Sequence, residues 1–336
     1  MRLKLVIGSL IPLLVLLIFL LYPPPPVLSP LPDKFPLQRN LSKYSFQSLS
    51  KAKPTASQLY PLRKIAKEKL YASHIFHFQN SQNKKVSGII NIPDKISETR
   101  PVVILLRGYA DKETYISGTG TKRAASFFAE NGFITISPDF LGYADSDPES
   151  PDILESRFEK PSTVVSLIYS LRNQPVEISK DKIILKNSPF FIWAHSNGGQ
   201  IAISVLEITR EPIPTTLWAP VSIAFPDSIL YYIDELEDKG AYLKKDLADF
   251  ETRYDAVDFS ISPLLTDITA PIQLHQGGKD KDVPKDWSDR LALKLNLNPN
   301  KNYFYYPQSD HNLRPDWQTA IDRDLSFFQK LARSKK

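Results

Sequence analysis

The stretch Phe190-Phe191-Ile192-Trp193-Ala194-His195-Ser196-Asn197-Gly198-Gly199-Gln200 sets an apolar run directly against a small, polar, glycine-rich turn. A helical pattern, Ile201, Ala202, Val205 and Leu206, follows at once. The local reading is strand, sharp turn, helix, with Ser196 at the tip. A serine held there occupies strained backbone, so its neighbours must be small. Gly198 stands where the first helical turn packs closely on the strand, and Ala194 stands where the commonest form of this elbow has glycine.

Working outward, Val102-Val103-Ile104-Leu105-Leu106 is a continuous apolar run, the pattern of a strand buried on both faces of a parallel sheet. It ends in Arg107-Gly108-Tyr109-Ala110. Residues 121–131 read as a helix, 133–137 as a strand and 161–172 as a longer helix. After the elbow, strands are expected at 216–220, 271–275 and 302–306, with helices at 287–295 and 315–331. Strands alternating with helices predict an α/β architecture: a mostly parallel central sheet with helices on both faces. Residues 71–79 and 86–92, around the turn Ser81-Gln82-Asn83, read as a β-hairpin at the sheet edge. His74 and His77 then lie on opposite faces of one strand, exposed and unable to share a metal. The rhythm breaks over 221–263, which is acidic, aromatic and helical at 229–237 and 242–254. This segment is expected to be a helical lid over the C-terminal edge of the sheet.

Three polar residues fall just beyond the ends of three different strands: Ser196, Asp280 and His311. The C-terminal ends of parallel strands converge on one edge, where sites are built. A serine hydroxyl is a weak nucleophile at neutral pH and needs an imidazole base, which in turn needs a carboxylate to fix its tautomer. The chain order Ser, Asp, His fits this architecture. Asp282 is the alternative acid. Of the five histidines, His195 adjoins the serine and points elsewhere, and His275 lies within a strand. Backbone N–H groups for a developing oxyanion are expected from Asn197, at the helix N-terminus, and from Tyr109; Tyr109 could equally pack against the lid. No His/Asp cluster at ligand spacing is read, so neither a metal nor an organic cofactor is expected.

The 336 residues carry a net charge of +5 and no cysteine. Disulfides, a cysteine nucleophile and thiolate metal sites are therefore excluded. Lys51, Lys53, Arg63, Lys64, Lys67 and Lys69 stand against Glu68 alone between residues 51 and 70, with Tyr60 the one aromatic among them. That is a solvated, membrane-proximal segment and not a nucleic-acid footprint. Arg2 and Lys4 precede an uncharged apolar run over 5–21, followed by Tyr22 and Pro23-Pro24-Pro25-Pro26 with no small-x-small cleavage site. Residues 1–22 are read as a single-pass signal anchor, a cleaved signal peptide being the alternative. The basic N-terminus directs the remainder outside, although Lys34 and Arg39 oppose that orientation. Residues 23–70, rich in proline, serine and lysine, are expected as a stalk ending in a short helix at 61–70. Residues 71–333 form the predicted globular domain.

The chain resembles the α/β-hydrolase superfamily, in its prolyl-oligopeptidase and dienelactone-hydrolase-like branch. The resemblance rests on Leu106-Arg107-Gly108-Tyr109, on Ser137-Pro138-Asp139-Phe140-Leu141-Gly142-Tyr143-Ala144-Asp145-Ser146, on His195-Ser196-Asn197-Gly198-Gly199 and on Gly277-Gly278-Lys279-Asp280-Lys281-Asp282-Val283-Pro284. It implies a serine hydrolase with a Ser196-His311-Asp280 triad and an acyl-enzyme intermediate. The large N-terminal propeller of the peptidase branch is missing, which favours ester substrates, and short peptides are the second expectation. A cysteine nucleophile, as in the dienelactone hydrolases proper, is not available. A non-catalytic ligand-binding module on the same fold is the reading of another class. The oligomeric state is not legible.

Overall fold

The computed structural model describes residues 40–333, except 179–180, 236–237, 239 and 263–264. Ser42–Lys336 forms a compact unit separate from the residues before it. All elements described here belong to this unit. The expected anchor and the proline-rich start of the stalk lie outside the described residues. Among the described residues no helix is long and apolar enough to cross a membrane.

The strands are β1 (Tyr60–Lys67), β2 (Tyr71–Gln79), β3 (Lys85–Pro93), β4 (Val102–Leu106), β5 (Ile134–Pro138), β6 (Val176–Ile178), β7 (Asp181–Ile183), β8 (Phe190–His195), β9 (Thr215–Trp218), β10 (Ile272–Gly277) and β11 (Tyr303–Tyr306). The helices are α1 (Phe46–Lys51), α2 (Lys122–Glu130), α3 (Ile153–Asn173), α4 (Asn197–Thr209), α5 (Asp227–Leu230), α6 (Ala241–Glu251), α7 (Lys285–Lys294) and α8 (Trp317–Arg333). One sheet runs in the order β1-β2-β3-β5-β4-β8-β9-β10-β11. Its first three pairings are antiparallel and the rest parallel. Every residue of β4 and β5 is buried, β4 as its unbroken apolar run requires and β5 with Thr135 and Ser137 between its apolar residues. Sealing each such Val, Ile or Leu side chain contributes about 1.5–3 kcal/mol, which commits these strands to the centre.

Alternate residues of β4 feed two different cores. Val102, Ile104 and Leu106 pack with Val164 and Leu167 of α3, Ile201 and Val205 of α4, and Leu291 of α7. Val103 and Leu105 pack with Ala125 and Phe128 of α2 and Ile321 and Phe328 of α8. The sheet is therefore covered on both faces, as its parallel half demands.

Several expectations need correction. Residues 61–70 are not a helix: β1 pairs with β2, with register shifts at Pro61/Arg63 and Lys64/Ala66. Proline is tolerated on such an edge, where its missing N–H faces away from the ladder. The β2–β3 hairpin is consequently one strand in from the edge. His74 and His77 are half-buried, and each has a buried ring nitrogen without a partner among the described residues. Burial lowers both pKa values, with Lys64 adding to the shift at His74 and Lys85 at His77. The stalk reading also fails over its folded part. A short turn at Ser42–Tyr44 and α1 belong to the globular unit, with Phe46 and Leu49 packed on the core. Helix α3 starts at Ile153, because Asp152 caps it by accepting from the N–H groups of Leu154 and Glu155. Pro161, expected near the start, lies inside the helix. The small β6–β7 ribbon was not foreseen.

The 221–263 segment contains α5, 3-10 turns at Ile233–Glu235 and Ala256–Phe259, and α6. It is held by an aromatic cluster. The ring of Phe158 on α3 lies 5.3 Å from Phe225, 6.0 Å from Phe250 and 4.9 Å from Phe259.

Candidate active site

Ser196 sits between β8 and α4 with φ 57° and ψ −124°. A non-glycine residue there stores about 1–3 kcal/mol of strain, and the surroundings must impose it. They do so by contact. A Cβ on Gly198 would stand 2.2 Å from the carbonyl oxygen of Leu106, so only glycine lets α4 begin this close to β4. The Ser196 backbone is also held on both sides, donating from N–H to the Trp218 carbonyl (2.9 Å) and accepting from Val221 N–H (3.0 Å).

The loop after β4 approaches the serine equally closely. A Cβ on Gly108 would lie 2.8 Å from the Ser196 Cβ and 3.3 Å from its Oγ. Arg107 fixes this loop. It donates to the carbonyls of Gly108 (3.0 Å) and Asp139 (3.1 Å). Its guanidinium packs 4.7 Å from the Tyr115 ring and 4.0 Å from that of Tyr143. The fully buried Asp139 carboxylate accepts from Tyr115 Oη (2.7 Å), Ser87 Oγ (2.6 Å) and Ser117 Oγ (2.7 Å). The Tyr109 side chain is 85% exposed, so it does not pack under the lid. The Asn197 N–H is at the first helical position of α4, where no intrahelical acceptor exists.

Asp280 and His311 come together: His311 Nδ1 donates to Asp280 Oδ2 at 2.9 Å. The Asp280 side chain is sealed and that of His311 is 13% exposed. Asp280 Oδ1 accepts from the N–H groups of Asp282 and Val283, both at 2.9 Å. Gln276 Nε2 reaches Oδ2 at 3.2 Å. Burial pushes the Asp280 carboxyl up, but the hydrogen bond and charge of His311, with the Val283 and Asp282 N–H groups, outweigh it. The net pKa is below the ordinary aspartate value. The two loops are tied by Lys279 N–H donating to the Ser309 carbonyl (2.8 Å). Asp282 is exposed, and its N–H serves Asp280.

Ser196, Asn197, Gly108, Tyr109 and His311 all line one cavity of about 860 Å³. The lid contributes Phe225, Ser228, Ile229, Tyr232 and Phe259 to its wall. Among the described residues no hydrogen bond joins Ser196 Oγ to His311, an arrangement common before a substrate draws such a pair together. One expectation on metals changes: ligand atoms of Asp280, Asp282 and His311 lie within 4.8 Å of one another. Both Asp280 oxygens are already engaged by the donors named above.

Sequence reasoning missed two supports. His195 does turn away from the serine, but not into empty space. Its Nε2 donates to the His311 carbonyl at 2.9 Å, and the two rings are 4.5 Å apart. Burial, reinforced by the charge of His311, pushes the His195 pKa down to about 4, so it stays neutral at physiological pH. Gln276 is the other, held by Ser288 Oγ at 2.7 Å while it supports Asp280. The signal for His195 was adjacency to Ser196, and for Gln276 a place four residues before Asp280 at the end of the strand leading to it.

No protein-family model matches the chain, and no curated protein matches it in sequence. Solved structures do. Acetyl xylan esterase 1 from a Thermoanaerobacterium species is similar at 13% identity, over 87% of this chain and 94% of that one, with a TM-score of 0.56. An esterase from Pyrococcus furiosus is similar at 14% identity over 82% of this chain and 99% of its own, with a TM-score of 0.52. Est1E from Butyrivibrio proteoclasticus, with ferulic acid bound, is similar at 15% identity over 74% and 96%, with a TM-score of 0.51. The chain has the α/β-hydrolase fold.

Proposed function

We propose that this chain is a serine hydrolase that cleaves carboxylic esters through an acyl-enzyme. The observation that carries the reading is the His311–Asp280 hydrogen bond of 2.9 Å at the rim of the cavity that Ser196 enters from its strained turn. The esterases among the similar folds favour an ester over an amide.

In this mechanism Ser196 Oγ forms a bond to the ester carbonyl carbon as its proton passes to His311 Nε2. Asp280 keeps the proton on Nδ1 and balances the imidazolium. The oxyanion accepts from the Asn197 and Tyr109 N–H groups, and Arg107 keeps Tyr109 in place. Collapse expels the alcohol, which takes the proton from Nε2. Water then attacks the acyl-enzyme with His311 again as base, releasing the acid and restoring Ser196. Phe225, Ile229 and Phe259 of the lid line the cavity, and an apolar wall there strengthens each of these charge interactions.

Hydrolysis of p-nitrophenyl acyl esters, with Ser196→Ala as control, tests the reading. Turnover that vanishes in the variant, together with fluorophosphonate labelling of the parent, is the expected outcome. Absence of both would return the fold to a ligand-binding module. Glu235 lines the cavity and offers an acid for a peptide amino terminus, so aminoacyl- and prolyl-p-nitroanilides belong in the same panel. Single-pass anchoring by residues 1–22 is part of the proposal; release of the full-length protein by alkaline carbonate alone would contradict it.

A further inference from the structure

Half-buried and buried charge in this fold generally meets an opposite charge or a set of backbone acceptors. Lys84 Nζ pairs with Glu159 at 2.6 Å and Arg172 with Glu211 at 2.6 Å, while Arg107 is satisfied by carbonyls and rings. Two residues of α3 depart from this. Arg157 and Lys160 are three apart, so they are neighbours on one helical face. Both are half-buried, and both line the cavity that holds Ser196 and His311.

Among the described residues Arg157 bonds only neutral oxygens, Gln200 Oε1 and Ser228 Oγ, the latter at 2.8 Å. Lys160 has no hydrogen bond or ion pair among the described residues. The acid whose field reaches it is Glu149, and that carboxylate is engaged by Lys112 Nζ. The acids on the cavity wall, Glu235 and Asp282, are exposed to water. Beside the two cations stand Phe158, Phe225 and Phe259, and the Arg157 guanidinium lies 6.0 Å from the Phe225 ring. Burial pushes Arg157 down to about 10 and Lys160 down to about 8. Holding two like charges together in such a place is unfavourable unless something compensates them. Neither is needed for acyl transfer itself. A carboxylate on the ligand would take charge-assisted bonds from both, and Arg157 could meet it with two parallel N–H donors.

We propose that Arg157 and Lys160 form an anion subsite, and that the ester cleaved at Ser196 carries a free carboxylate. This rests on the hydrolase reading above and names its substrate class.

Two matched pairs of esters test it. Mono-p-nitrophenyl adipate beside methyl p-nitrophenyl adipate places the carboxylate in the acyl half. The p-acetoxybenzoate anion beside its methyl ester places it in the alcohol half. In at least one pair the carboxylate form should have a kcat/KM at least about tenfold above its neutral partner, the size of one charge-assisted hydrogen bond. Lys160→Met should bring that ratio toward one, and Lys160→Arg should keep it. The ratio is internal to each variant, so partial misfolding cancels. If neutral esters are turned over as well or better in both pairs, the subsite is wrong while the hydrolase reading stands. The same holds if the preference survives in both Lys160→Met and Arg157→Met, or if the protein is labelled by fluorophosphonate yet turns over none of the four. No turnover and no labelling removes the hydrolase reading and the subsite with it.

Discussion

Among the described residues stand two Asp–His pairs of equal length, of which the proposed mechanism uses one. Asp280–His311 and Asp324–His275 are both 2.9 Å pairs. The second is sealed, with both side chains fully buried. His275 Nε2 donates to Asp324, and its Nδ1 accepts from Tyr306 Oη at 2.8 Å. Trp218 Nε1 and Gln273 Nε2 donate to the two Asp324 oxygens at 2.7 and 2.8 Å. Burial pushes the Tyr306 hydroxyl up to about 12, against the opposing effect of Arg323, so it remains a donor. Every nitrogen and oxygen of that pair is committed within the protein. In the first pair both Asp280 oxygens and His311 Nδ1 are committed; among the described residues His311 Nε2 has no partner, and it belongs to a residue on a cavity wall. An acid beside an imidazole is therefore not a site by itself. The free nitrogen, and the space in front of it, make it one.

The sharpest break between the pairs lies in activity. His311→Ala or Asp280→Asn should lower kcat about 10⁴-fold or more, with the unfolding midpoint little changed. Ester kinetics beside a urea titration would show it. Next comes stability. Asp324→Asn should cost about 3 kcal/mol, because Trp218, Gln273 and His275 lose a charged acceptor in a dry site. Urea titration reads that loss, and the specific activity of the remaining folded protein should stay within about threefold. An activity collapse there, without a stability loss, would erase the distinction.

A third carboxyl sharpens the comparison through pH. Glu207 on α4 accepts from Ser262 N–H at 2.8 Å, and burial, with Asp267 adding, pushes its pKa up to about 7. Its unfolded value is near the ordinary 4.5. Between these values the folded state holds the proton and the unfolded state has lost it, so this group's contribution to stability falls as pH rises. Glu207→Gln should flatten that dependence and raise stability at pH 8 relative to pH 5.5 by on the order of 1–3 kcal/mol. The smallest effect belongs to the turn: Ser196→Gly should relieve strain and stabilise by about 1 kcal/mol while abolishing hydrolysis. Thermal melts of the two variants check both.

Much of this was legible because the elbow and the buried parallel strands leave local signatures. Glycines at 198 and 108, and unbroken apolar runs at 102–106 and 190–194, are demanded by close packing and by burial on both faces. β1 was illegible for the converse reason. It is an outer strand whose Arg63, Lys64 and Ile65 are exposed, so burial imposes no alternation. Pro161 misled for a local reason: proline favours first helical turns, yet the Asp152 cap had already set the start. Arg157 and Lys160 carried no signal at all, since a helical cation in sequence looks the same whether it faces water or a cavity.

The sealed pair also imposes an order on synthesis. Trp218, Gln273 and His275 leave the ribosome before the acid that satisfies them, and Asp324 lies 49 positions beyond His275. Until α8 emerges, that face of the sheet holds polar groups that must stay hydrated, and the nascent domain cannot dry its own interior. Without α8, Trp218, Gln273 and His275 lack their shared acceptor, and the flank they line stays unsealed even with the strands in place.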